Sequence, residues 1–123
     1  TIQIGQSIEY NGLNIVINEL DLNYTKDMPE LNDGTKYIYL TFTITNTTEN
    51  DIFVSIYDFD CYADNAYCEP NFHIYHKSTS ATLSKDRNAL LCVSYYVPID
   101  SKEIELEFEY SIWSDEKLIL KLQ

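Results

Sequence analysis

The sequence is poor in the residues that break strands and in those that carry positive charge. Only three glycines and three prolines occur, against eleven tyrosines and five phenylalanines. That balance favours strands over helices, because aromatic side chains fit a pleated surface. Eight Lys and Arg stand against twenty Asp and Glu, a formal charge of −12. An acidic field repels phosphate backbones, so nucleic acid is excluded as an expected partner. No Lys or Arg lies between Lys36 and Lys77, while Glu49, Asp51, Asp58, Asp60, Asp64 and Glu69 fall in that interval. A solvated surface is the ordinary reading of such a stretch; a cation or a basic partner is the sharper one.

No apolar run approaches the ~20 residues that cross a bilayer as a helix, so no transmembrane segment is expected. The chain opens at Thr1, without Met, directly in strand-like sequence. A leader upstream, with a lipid anchor, is the accompanying expectation. Metal-binding patterns are missing too. Cys61, Cys68, His73 and His76 have the right atoms for zinc but not its tight paired spacings. Asp58, Asp60, Asp64 and Glu69 crowd one stretch without the loop that wraps calcium. Nothing singles out two of the twenty acids as a glycosidase pair. The expectation is therefore no metal, no cofactor and no catalytic residue.

A chain of 123 residues is one domain on length, here residues 1–123. Apolar residues make up 45% of it, too many for a disordered chain.

Period-two alternation runs from end to end, the mark of strands buried on one face. From Glu103 to Tyr110 every second residue is acidic and every other one apolar. A helix would spread those acids around its circumference; a strand sets them all on the wet side. Between Tyr37 and Thr45, Ile38, Leu40, Phe42 and Ile44 point one way while Tyr37, Tyr39, Thr41 and Thr43 point the other. Asn11-Gly12 closes a hairpin from Ser7–Tyr10 into a strand carrying Leu13, Ile15 and Ile17. Phe53–Ile56, Phe59–Tyr62 and Leu91–Val97 supply further strands, the last ended by Pro98. Asn23–Thr35 and Pro70–Asn88 read as irregular, with Phe72, Ile74 and Leu83 as anchors onto the core. The class is all-β: an immunoglobulin-like antiparallel β-sandwich of about seven to nine strands. Its core should contain Ile38, Leu40, Phe42, Ile44, Phe59, Val93, Tyr95, Val97, Leu106 and Phe108.

The order of these features resembles a known family. Gly5 precedes the Asn11-Gly12 hairpin; Lys36 to Asn46 forms the long alternating strand; Phe59, Asp64-Asn65 and Tyr67 follow. Tyr95-Tyr96-Val97-Pro98 and Ile104, Leu106 and Phe108 close the pattern. This is similar to bacterial secreted, often lipid-anchored, immunoglobulin-like domains of unknown function, such as that of the mycobacterial immunoprotective extracellular antigen. The resemblance implies the same sandwich and an extracellular or cell-surface location, and it brings no catalytic residues. Where the family has Asp-Gly, this chain has Asp64-Asn65; where the family has Pro-Gly, it has Ser84-Lys85-Asp86-Arg87.

With a two-residue turn at Asp64-Asn65, Ala63 faces Ala66, Tyr62 faces Tyr67 and Cys61 faces Cys68. Directly opposed residues are ~4.5–5.5 Å apart, within disulfide range. A Cys61–Cys68 bridge is therefore expected, with Cys92 free. Alternation also turns Tyr37, Tyr39, Tyr62, Tyr67 and Tyr96 away from the core, and together they would form a water-facing aromatic patch. The ordinary alternative is that these rings pair across strands and merely cover the sheet. The expected function is a non-enzymatic binding or spacer module of a secreted protein or lipoprotein, contacting a protein or a glycan. An extracellular hydrolase, or a small-ligand carrier with a pocket between the sheets, is the rival.

Overall fold

A computed structural model describes residues 1–26, 28–74, 79–109 and 117–123. Among the described residues alternation becomes ten strands: β1 (Ser7–Tyr10), β2 (Leu13–Tyr24), β3 (Thr35–Asn46), β4 (Ile52–Ser55), β5 (Phe59–Ala63), β6 (Ala66–Cys68), β7 (Ser80–Leu83), β8 (Asn88–Pro98), β9 (Ile104–Phe108) and β10 (Leu118–Lys121). One sheet runs β1-β2-β3-β8, the second β10-β9-β5-β6, and β4 pairs with β7. All the strand pairings are antiparallel.

The two four-stranded sheets meet face to face through the apolar positions of their alternating strands. Ile38, Leu40, Phe42, Val93, Tyr95 and Val97 from the first sheet join Phe59, Leu106 and Phe108 from the second in one buried cluster. Aromatic rings span the interface: Phe42 to Phe59 at 4.6 Å between centroids, and Phe59 stacked on Phe108 at 4.3 Å. All ten expected core residues are buried, and the fold is an immunoglobulin-like antiparallel β-sandwich. Glu105 and Glu107 stay at least partly exposed beside the buried Ile104, Leu106 and Phe108. Tyr110, the last residue of that alternating run, lies outside the described residues, as do His76 and Lys77.

Turn chemistry sets the register. Asn11 and Gly12 both have positive φ, 48° and 84°, which suits the twist of a two-residue hairpin. Asp64 and Asn65 do the same at 47° and 68°, and Asn tolerates that conformation without glycine. In the Ser84–Arg87 turn, Asp86 takes φ 65° and Arg87 N–H donates to Ser84 C=O at 3.0 Å. Buried Asn46 ties the end of β3 to its surroundings. Its amide donates to Asn50 and Leu83 carbonyls at 2.7 and 2.8 Å, and its oxygen accepts from Thr48 N–H at 2.8 Å.

The Pro70–Asn88 stretch is more ordered than the sequence implies. It holds a 3-10 turn at Phe72–Ile74 and strand β7. Ile74 and Leu83 anchor it as expected, but Phe72 is exposed. No helix among the described residues is long and apolar enough to cross a membrane.

Candidate functional site

The five tyrosines do not come together. Tyr37, Tyr39 and Tyr96 lie on the outer face of the first sheet; Tyr62 and Tyr67 lie on the second. Tyr37 and Tyr39 are 6% and 7% exposed, so the expected water-facing patch is corrected. Alternation does turn their rings away from the main core, but two connections fold over that side of the sheet. Ile74 from one and Met28 from the other close a second small cluster with Tyr24, Tyr39 and Cys92. Tyr24 stacks on Tyr39 at 4.6 Å, and Tyr37 O–H donates to Pro29 C=O at 2.9 Å. Burial pushes the Tyr39 phenol up to about 12. Cys92 faces away from Val93 and Tyr95, as the alternation predicts, and is buried here.

The segment that covers this face is strapped to the edge of β8 by its backbone. Tyr96 N–H donates to Glu69 C=O at 3.0 Å, and Asn71 N–H donates to Ser94 C=O at 2.8 Å. Fully buried Asn71 also donates from its side chain to Ser94 Oγ at 3.2 Å. The strap thus crosses from β6 in the second sheet to β8 in the first.

Where it crosses, three aromatic side chains remain in water. Tyr57, Tyr67 and Phe72 are 68%, 55% and 53% exposed. They line one cleft of about 280 Å³, together with Asp60 from β5 and Val93, Ser94 and Tyr95 from β8. Local structure puts each ring there. Ser55 Oγ accepts from Tyr57 N–H, and Asp58 Oδ2 accepts from Ser55 N–H, so the two side chains cap a 3-10 turn at Ile56–Asp58. Ile56 is buried by that turn and Tyr57 is left outside. On the strap, Asn71 Oδ1 accepts from His73 N–H at 3.1 Å while Ile74 is buried, which leaves Phe72 on the water side. Tyr67 is the outward residue of β6, next to buried Cys68. The Tyr57 and Phe72 rings are 6.4 Å apart, tilted by 37°.

Electrostatically the cleft is acidic. No Lys, Arg or His lines it among the described residues. Desolvation, followed by the nearby Glu69 and Asp60 carboxylates, raises the Tyr67 phenol. Across the strands Asp60 sits opposite Glu107, and Tyr62 opposite Glu105. Tyr62 meets Tyr67 edge-on at 6.1 Å, and desolvation together with Glu107 raises its phenol.

Cys61 and Cys68 face each other in the expected register, as free buried thiols. Burial raises both, with Cys61 nearly enclosed. A second cleft, of about 420 Å³, opens under the β2–β3 connection among Tyr24, Met28, Pro29, Leu31, Tyr37 and Ile99. It lies at one end of the sandwich, not between the sheets, where the rings of Phe42, Phe59 and Phe108 interlock.

Fold and cleft together define a small immunoglobulin-like sandwich with an aromatic, acid-rimmed surface site. The chain belongs to the family described as domain of unknown function DUF4352, whose model matches residues 2–118. No curated protein matches it. Among solved structures, a candidate lipoprotein of Bacillus subtilis, ycdA, superposes with a TM-score of 0.78 at 15% identity. That likeness covers 99% of this chain but only 39% of the Bacillus protein. The yjhA protein of the same organism matches at 0.72 and 18% identity, over 98% of both chains. An uncharacterized β-sandwich protein of Clostridium difficile matches at 0.57 and 14%, over 98% of this chain and 92% of that one. At such identities the likeness shows the fold.

Proposed function

We propose that this domain is a non-enzymatic binding module that works outside the cell or at its surface, and that the Tyr57–Tyr67–Phe72 cleft is its contact site. One observation carries the reading. Three large aromatic side chains that folding could have buried instead stay in water around a single concavity. Scattered exposed rings are ordinary, but rings gathered at a cleft mark a recognition surface. Tyr and Phe give large contact area at low entropic cost, and aromatic residues dominate interface hot spots. The location draws support from the candidate lipoprotein among the structural relatives. The partner is a protein or a glycan of the surface, held without chemistry.

The test is binding of the labelled domain to the envelope fraction of the cells that make it. Replacing Tyr57 and Phe72 together by Ala should weaken binding at least tenfold and leave the melting transition within a few degrees, since both rings are already solvated. Undiminished binding by that variant would sink the assignment of the cleft.

A further inference from the structure

Resting on that reading of the cleft, we propose that its occupant is a Lys or Arg side chain on a basic segment of a partner protein. The faces of aromatic rings carry negative potential, and an ammonium or guanidinium group held against several of them is attracted electrostatically. Tyr57, Tyr67 and Phe72 supply three such rings around a cleft of about 280 Å³, room for one long side chain. The Asp60 carboxylate lies in the same wall, and neither ion pair among the described residues, Lys85–Glu49 or Lys117–Glu109, involves it. Val93 and Tyr95 form the buried floor of the cleft, and the exposed faces of Tyr57 and Phe72 give the aliphatic stem of Lys or Arg an apolar surface to follow.

The surroundings favour a protein segment over other cations. Glu69 flanks Tyr67, Glu107 stands across from Asp60, and Glu105 stands across from Tyr62. Asp60 and Glu69 give the cleft its local negative charge, while Glu105 and Glu107, farther along the sheet, are shared with Lys121 and Lys117. A choline headgroup carries its own phosphate, which the same carboxylates repel. A neutral sugar would stack on the rings but would leave the acidic rim without a counterpart.

The experiment is a nuclear magnetic resonance titration of the intact domain, following the ring signals of Tyr57, Tyr67 and Phe72. The probes are a short Lys- and Arg-rich peptide, the same peptide with acetyl-lysine and citrulline in place of its cationic residues, phosphocholine, and a neutral gluco-oligosaccharide. The basic peptide should shift all three rings saturably, at least tenfold more tightly than its neutralised form. Asp60→Asn should weaken it about fivefold to tenfold while melting is retained, and added salt should weaken it further. Equal affinity for the two peptides, indifference to Asp60→Asn, or saturable shifts only with phosphocholine or the sugar would overturn the proposal. The two readings fail separately. If the peptide is inert while the Tyr57 and Phe72 double variant still loses envelope binding, the cleft stays a contact site and the cation is wrong. If the peptide binds and envelope attachment ignores the double variant, the cation site stands without that role.

Discussion

At the scale of single residues, Asp58 shows how one side chain can hold a site open at a cost to stability. Its carboxylate accepts from Ser55 N–H at 3.2 Å and so caps the turn that pushes Tyr57 into water. Burial raises its pKa above 3.8, and the Ser55 hydrogen bond offsets that only in part. A carboxyl raised on folding favours the folded state while protonated. That contribution is complete below the unfolded value of 3.8 and is lost as pH rises through the higher folded value. Asp58→Asn keeps an oxygen for Ser55 without a partly desolvated charge. The variant should show a higher urea midpoint than wild type at pH 7, with the gap closing toward pH 3 as the wild-type carboxyl takes up its proton. A gap that widened on acidification would reverse the assignment.

At the scale of elements, the β5–β6 hairpin was legible down to its register. Two positive-φ turn residues and strict alternation are local signals, so the pairing of Cys61 with Cys68 and of Tyr62 with Tyr67 follows from them. Which face of β3 and β8 turns inward was legible for the same reason. What lies over the outer face was not. Covering Tyr37 and Tyr39 depends on Ile74 and Met28, which arrive from connections distant in sequence and without period. β7 was missed because Ser80, Ala81 and Thr82 carry no apolar alternation of their own. Of the three exposed rings of the cleft, Tyr67 alone was picked out for binding. The spacing of Ser55 and Asp58, a cap signature around Tyr57, was the signal available for a second member.

The same hairpin carries a redox expectation. In material made under oxidising conditions Cys61 and Cys68 should join, leaving Cys92 as the one thiol that reacts after denaturation without reductant. Thiol labelling with intact mass measures this, and three reactive thiols would exclude the bridge. Its stabilising effect should be small, since the closed loop is short and an opposed strand pair is a strained place for a disulfide.

For the whole molecule, the cleft's position matters as much as its chemistry. Asp60 and Tyr67 belong to one sheet, and the strap that carries Phe72 is hydrogen-bonded to β8 of the other, so an occupant of the cleft bridges elements tied to both. Binding to the folded state alone raises stability by RT ln(1 + [L]/Kd), about 2.7 kcal/mol at a hundredfold excess of ligand over Kd. The basic peptide should therefore raise the melting temperature of the wild-type domain and leave the Tyr57 and Phe72 double variant unmoved in a calorimetric scan. The seam also has a mechanical meaning. A domain tethered to a surface and gripped by a partner is pulled from two points, and a sandwich yields when its layers slide past each other. Under the proposed binding role, a side chain seated across the strap would be a dowel between those layers, and load arriving through the partner would fall where the partner itself resists the slip.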